Sequence, residues 1–361
     1  MKKVLFILGY KMYPDVTGGM EIFNYHMIEG LQDKLDISYT CGRDLGFEKA
    51  SYLRLRTIRP EKYLWPFQVF LHLLHHPEIR SVVFSYSEAS PVVWRLFTRM
   101  TRTLHLKSIV VLHFGNPSTG TSHKTLERFF KSAGTVIAVS PDIKRNYDAA
   151  FGLDCNVLPP AIPLNPSGKS REEVRSAWGI PSDAFVISMV GSLKDMKNPD
   201  TAIDCLSSLT ENERARVKPF LLYAGDGPLA NPLKEKVAAA GLSDRVLFLG
   251  RIPQEKVCEV MRGSDCYLIA SDFEGTSLSL MEAMANGLPV IASDAPGLRD
   301  MIEDGRSGLL FTRRDTASLK QCILRYQSDP LLAADVGKRA REEYRMHYSF
   351  DAVAAQYRAL L

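Results

Sequence analysis

The 361-residue chain has no Cys-x-x-Cys pair; its six cysteines, Cys41, Cys155, Cys205, Cys258, Cys266 and Cys322, are scattered. That excludes a thiolate metal knuckle and a dense disulfide framework, and it implies free thiols in a reducing compartment. No Asp-x-Asp occurs, and His75 and His76 are neighbours that a helix would turn in different directions. No converging ligand set for a metal ion is expected. The longest apolar run, 63–74, is interrupted and too short to cross a bilayer. No signal peptide precedes the first strand, so the expected location is the cytoplasm. There is no zinc-finger or RNA-binding signature, and nucleic acid is not an expected partner. A content of 45% hydrophobic and 24% charged residues is that of a soluble globular protein, long enough for two domains.

The net charge of +4 is unevenly distributed. Residues 54–131 hold 12 Lys and Arg against 4 Asp and Glu, with six of the eight histidines. Basic residues there alternate with bulky apolar ones, as in 54–59, 95–102 and 126–131. Such a face suits an anionic membrane surface, and equally a solvated helix face with its apolar side in the core.

Short apolar strands alternate with amphipathic helices. Strand candidates fall at 4–8, 37–40, 81–85, 108–112, 135–139 and 156–158, then at 185–190, 220–224, 246–249, 266–270 and 289–292. This rhythm predicts α/β architecture, with parallel sheets covered by helices on both faces. Residues 158–168 contain four prolines, which disfavour helix and inner strand. They divide the chain into Rossmann-like domains 1–165 and 166–345. The segment 346–361 reads as a terminal helix with Ser349 as its N-cap.

The most informative stretch is Phe273-Glu-Gly-Thr-Ser-Leu-Ser-Leu-Met-Glu-Ala-Met-Ala-Asn-Gly-Leu-Pro-Val-Ile-Ala-Ser293. It predicts loop, helix, Gly287 stop and strand. Glu274 precedes the helix; Gly275, Thr276 and Ser277 are expected at its first turn, where amides lack partners and anions bind. Glu282 lies between Met281 and Ala283 in an apolar helix, where a carboxylate needs a partner or a wet cleft. Free amides beside two carboxylates suit a sugar joined to a nucleotide diphosphate.

This stretch resembles the Glu-x7-Glu signature of retaining glycosyltransferases of family 4, which have the GT-B fold. The resemblance implies two Rossmann-like domains facing a central cleft, with the terminal helix crossing back to the first. It implies that Glu274 contacts donor-sugar hydroxyls, that Glu282 holds the ribose, and that the 275–277 amides face the sugar and diphosphate. Gly18 and Gly19, after the first strand, match a loop that approaches the diphosphate. His113, ending the strand at 108–112, matches a histidine near the reaction centre. Val190-Gly-Ser-Leu-Lys-Asp-Met-Lys197 is similar to a motif in which an Arg and a Lys grip the diphosphate. Lys197 matches the Lys; Ser192 stands at the Arg position, with Lys194 as a nearby cation. Gly225, in a Gly-Asp-Gly loop that imitates a dinucleotide fingerprint, and Arg251 match positions near the nucleotide. The expected catalytic set is His113, Lys197 and Glu274.

The resemblance implies a metal-independent enzyme without cofactor. It would move a sugar, from a UDP-sugar first and a GDP-sugar second, to a glycan or lipid-linked acceptor. Cell-surface polysaccharide or lipopolysaccharide synthesis, peripheral to the inner face of the cytoplasmic membrane, is the expected setting. The alternatives are a GT-B-like nucleotide-sugar epimerase and a non-catalytic nucleotide-sugar binding protein.

Overall fold

A computed structural model describes residues 1–8, 19–41, 43–54, 65–86, 91–113, 122–161 and 168–360. The chain divides into two compact units, Met1–Pro163 with Ser349–Leu361, and Leu164–Tyr348.

Unit 1 alternates β1 (Lys3–Ile7), α1 (Gly19–Leu31), β2 (Asp36–Thr40), β3 (Ser51–Tyr52), α2 (Trp65–His75), β4 (Ile79–Tyr86), α3 (Pro91–Thr103), β5 (Lys107–Leu112), α4 (His123–Ser132), β6 (Thr135–Ala138), α5 (Pro141–Phe151) and β7 (Asn156–Val157). Its sheet runs β3-β2-β1-β4-β5-β6-β7, and every pair is parallel. The inner strands are buried throughout: Val4 to Ile7 in β1 and Ile109 to Leu112 in β5. A sheet with helices on both faces requires such continuous apolar runs.

Unit 2 repeats the scheme with α6 (Arg171–Ala177), β8 (Phe185–Val190), α7 (Asp200–Ser207), α8 (Glu211–Val217), β9 (Pro219–Ala224), α9 (Ala230–Ala239), β10 (Val246–Phe248), α10 (Gln254–Gly263), β11 (Cys266–Ile269), α11 (Leu278–Ala285), β12 (Val290–Ser293), β13 (Leu309–Phe311), α12 (Thr316–Ser328) and α13 (Pro330–Glu343). The parallel order is β10-β9-β8-β11-β12-β13. Alternate residues serve opposite faces: Leu268 and Ile291 join one core cluster, Tyr267, Ile269, Val290 and Ala292 the other. Capping boxes start α6 (Ser170, Glu173) and α8 (Thr210, Glu213), satisfying amides that the helices leave open.

The last helix, α14 (Phe350–Leu360), belongs to unit 1, as the terminal-helix reading expects. Ser349 caps it, its hydroxyl accepting from the Ala352 amide at 3.4 Å. Val353, Ala354 and Tyr357 are buried in the unit 1 core, and Tyr357 stacks on Phe6. The Phe350 ring lies over Gly30, where an added Cβ would come within 1.5 Å of it.

Both sheets reverse direction beside their first strand, between β1 and β4 and between β8 and β11. Neighbouring connections leave such a point on opposite faces, opening a crevice beyond the strand carboxyl ends. Lys197 and Glu274 follow β8 and β11 at the second of these reversals, and Gly19 follows β1 at the first.

Candidate functional site

In unit 2 two loops meet at the reversal. After β8, Gly191 takes φ +147, and Asp195–Lys197 forms a one-turn 3-10 segment ending at Asn198 with φ +44. After β11 comes the chain from Ser271 to Ser277. Buried Asn198 ties the loops together, donating to the Ala270 carbonyl at 3.1 Å and to Asp272 at 2.8 Å. The Asp272 amide in turn donates to the Met196 carbonyl at 2.9 Å. This clamp delivers the Lys197 ammonium to the Glu274 carboxylate, and the two form an ion pair. The Ser271 hydroxyl donates to the same Glu274 oxygen at 2.6 Å. Glu274 is buried while the Lys197 side chain is 31% exposed, so the cation is the member open to an incoming anion.

Glu274 is held from behind as well. Its amide donates to the Pro296 carbonyl at 3.2 Å. Gly297 sits at φ +83 so close that a Cβ there would fall 1.8 Å from the Glu274 carbonyl oxygen. Only glycine satisfies both the left-handed backbone and this approach.

The structure corrects the reading of 275–277. These residues precede the helix rather than forming its first turn. α11 begins at Leu278, and Ser277 is its N-cap, accepting from the Leu280 amide at 3.3 Å. The Ser277 hydroxyl is thus used for capping, because a buried helix start needs an acceptor. Gly275 and Thr276 are half-buried just ahead of the cap.

Glu282 is buried in α11, 5% exposed, and its carboxyl accepts from the Gln254 side-chain amide. Burial pushes its pKa up to about 8; the Gln254 bond pulls in the opposite direction. Tyr267 of β11 lies near both glutamates, and its hydroxyl donates to Ser279 at 2.7 Å. Burial raises its pKa, and both Glu274 and Glu282 raise it further, so the two carboxyls share one neighbourhood. Sequence reading missed Gln254, Tyr267 and Ser271. Gln254 opens α10 far from the motif, and its role exists only because α10 packs on α11.

Ser192 is half-buried in the loop after β8, and Lys194 is exposed with no ion pair to any described residue. This loop is zipped to the one after β9: Gly191 donates to the Ala224 carbonyl and Leu193 to the Asp226 carbonyl, both at 3.0 Å. An added Cβ on Gly225 would fall 1.8 Å from the Gly191 carbonyl oxygen. Gly225 therefore has a backbone-contact role in the structure, a reason the fingerprint-like spacing does not supply. Arg251 is exposed on the β10–α10 connection, three positions before Gln254.

In unit 1, Gly19 begins α1, while Gly18 lies outside the described residues. His113 follows the carboxyl end of β5. Its ring meets Phe23 edge-on at 5.2 Å, and its Nε2 lies 3.0 Å from the Ser85 hydroxyl. Burial lowers its pKa to about 3, leaving the imidazole neutral at pH 7. Among the described residues no group of three His, Cys, Asp or Glu side chains converges.

Residues 170–343 match the family described as glycosyl transferases group 1. A lipopolysaccharide core biosynthesis mannosyltransferase, LpcC, of Rhizobium leguminosarum bv. viciae is 31% identical over 199 residues, covering 54% of this chain and 56% of that protein. A D-inositol 3-phosphate glycosyltransferase of Corynebacterium efficiens is 31% identical over 225 residues, covering 61% and 53%. The match thus spans about half the length of these curated relatives. The crystal structure of Anabaena Alr3699/HepE in complex with UDP superposes with a TM-score of 0.80 at 18% identity, over 99% of both chains. The chain accordingly has the GT-B fold, and its second unit carries the sequence pattern of the group 1 glycosyl transferases.

Proposed function

We propose that the protein is a retaining, metal-independent glycosyltransferase that moves a sugar from a nucleotide diphosphate sugar to a hydroxyl of a glycan or lipid-linked acceptor. What supports this reading is the convergence of Lys197, Glu274 and the buried Glu282 at the reversal edge of the second sheet. The acceptor oxygen bonds to the anomeric carbon on the face the diphosphate leaves, as the bond from that carbon to the diphosphate oxygen breaks, and the acceptor's hydroxyl proton passes to the departing diphosphate oxygen. The carbon gains oxocarbenium character and the leaving diphosphate gains charge. Lys197 exchanges its carboxylate partner for the diphosphate, assisted by the amides ahead of α11; Glu274 then turns to sugar hydroxyls. Glu282 takes the ribose hydroxyls, with Gln254 fixing its rotamer. Stabilising the leaving charge supplies most of the acceleration, and exclusion of water protects the donor from hydrolysis. UDP-sugars are the first candidates, since the Anabaena neighbour was solved with UDP. A lipopolysaccharide-type acceptor is favoured by the mannosyltransferase relative.

A second reading, nucleotide-sugar binding without catalysis, draws on Ser192, which supplies no charge where an Arg is expected. A panel of nucleotide sugars screened by thermal shift identifies the donor, since a ligand at 100 times its Kd adds about 2.7 kcal/mol of apparent stability. Product configuration by NMR should show the donor's anomeric configuration retained, with EDTA leaving the rate intact. Lys197→Ala should lower kcat by about 10²–10³-fold. Tight donor binding with no product on any acceptor would favour the second reading, and an inverted product would refute retention.

A further inference from the structure

Asn24, Ser85 and His113 come from three elements of unit 1: α1, β4 and the residue after β5. The Asn24 side-chain amide donates to Ser85 Oγ at 2.9 Å, and Ser85 Oγ lies 3.0 Å from His113 Nε2. Asn24 and Ser85 are buried, 4% and 2% exposed. Their chemistry has a direction. A hydroxyl has one hydrogen and two acceptor lone pairs, and an amide NH₂ donates only. With Asn24 on one lone pair, the Ser85 hydrogen needs an acceptor, and among the described residues His113 Nε2, 3.0 Å away, is placed to accept it. An Nε2 that accepts carries no proton, so a neutral ring carries its proton on Nδ1.

We propose that Asn24 and Ser85 are positioning residues that fix His113 as its Nδ1–H tautomer, leaving Nδ1–H as the one donor the ring offers to a sugar oxygen. The sugar oxygen rests on the proposed glycosyl transfer; the tautomer does not. The arrangement suits that chemistry. An imidazolium would set a full positive charge beside a carbon that is itself becoming cationic, whereas a neutral N–H orients an oxygen without that repulsion. The edge-on Phe23 ring helps hold the imidazole plane.

Long-range ¹H–¹⁵N correlation of ¹⁵N-histidine protein reads the tautomer directly, with His113→Gln identifying the resonances. The wild type should show protonated Nδ1 and bare Nε2. Ser85→Ala should give a mixture of tautomers. Asn24→Asp should reverse the order, because a carboxylate accepts the Ser85 hydrogen and Ser85 then accepts from Nε2–H. A wild-type ring protonated on Nε2, or a Ser85→Ala ring unchanged, overturns the relay without touching the assignment of function. Ser85→Ala should also lower kcat about tenfold, a barrier change of about 1.4 kcal/mol, with the donor KM held within about twofold. A shifted tautomer with unchanged kcat would overturn its part in transfer while leaving the relay standing.

Discussion

Glu282 has lost nearly all its water, and the single amide of Gln254 does not replace it, so its pKa rises to about 8. The folded protein therefore holds this proton more tightly than the unfolded chain. Its contribution to stability falls as pH climbs from the ordinary carboxyl value of 4.5 to about 8, and is level beyond. A ribose favours the opposite state, because hydroxyl donors stabilise the carboxylate. Binding of a UDP-sugar near pH 7 should release close to one proton, read by calorimetry in buffers of different ionisation enthalpy. Below pH 8 the affinity should fall by up to about tenfold per pH unit. Glu282→Gln should abolish the release; a release unchanged in that variant would remove the residue from the nucleotide site. This glutamate was legible in the sequence because it interrupts an apolar helix. Gln254 was not, since nothing local marks a glutamine as the partner of a carboxyl 28 positions away. The helix start is set three positions later than the sequence implies, at Leu278 rather than Gly275, because the Ser277 hydroxyl caps it and helix ends are decided by backbone geometry.

At the scale of elements, the loops of unit 2 are set by close backbone approaches. Gly225 meets the Gly191 carbonyl, Gly297 meets that of Glu274, and Gly337 of α13 meets that of Gly287 behind α11. Gly297→Ala should displace the Glu274 backbone, since the clash is with main chain and the φ of +83 resists a side chain as well. The expected outcome is a fall in turnover of at least about tenfold, from a shift on the order of 1 Å, with the protein still folded by circular dichroism. Wild-type turnover in a folded Gly297→Ala protein would show that Glu274 tolerates displacement. Eleven strands were readable as apolar runs. β3, with two residues, and β13, with three, were not, although β7 and β10 are equally short. β13 is an edge strand that exists because β12 offers a partner.

At the scale of the whole molecule, the Lys197–Glu274 pair of unit 2 lies where its sheet reverses, between β8 and β11. No helix among the described residues is long and apolar enough to cross a membrane. One surface of unit 1 nonetheless differs from an ordinary solvated face. α3 packs against α2 on one side and α4 on the other. α2 exposes Phe67, Leu71 and Leu74 at helical spacing, the first 57% exposed, while α3 exposes Arg95, Arg99 and Arg102, and α4 exposes Lys124 and Arg128. An apolar stripe beside cationic ones suits an anionic bilayer, to which each basic residue adds about 1 kcal/mol. The full chain should co-sediment with vesicles containing phosphatidylglycerol at low salt and dissociate as salt rises. Phe67→Ser with Leu71→Ser should weaken that binding without altering donor affinity. Absence of binding to anionic vesicles at low salt would assign the face to solvent and favour a water-soluble acceptor.

The sequence by itself determined the class of fold, the alternation of strands and helices, the capped terminal helix and the identity of the two glutamates. Those are local or periodic properties: two-residue and 3.6-residue patterns, Gly and Pro punctuation, and a charge where apolar residues surround it. Only the tertiary structure decided which groups meet. Lys197 reaches Glu274 across 77 positions because β8 and β11 are neighbours at the reversal. Asn24 reaches Ser85 across 61 positions because α1 packs near the end of β4. The direction of a hydrogen bond, and the proton a buried carboxyl or imidazole keeps, depend on partners remote in the chain and on the water that folding removes.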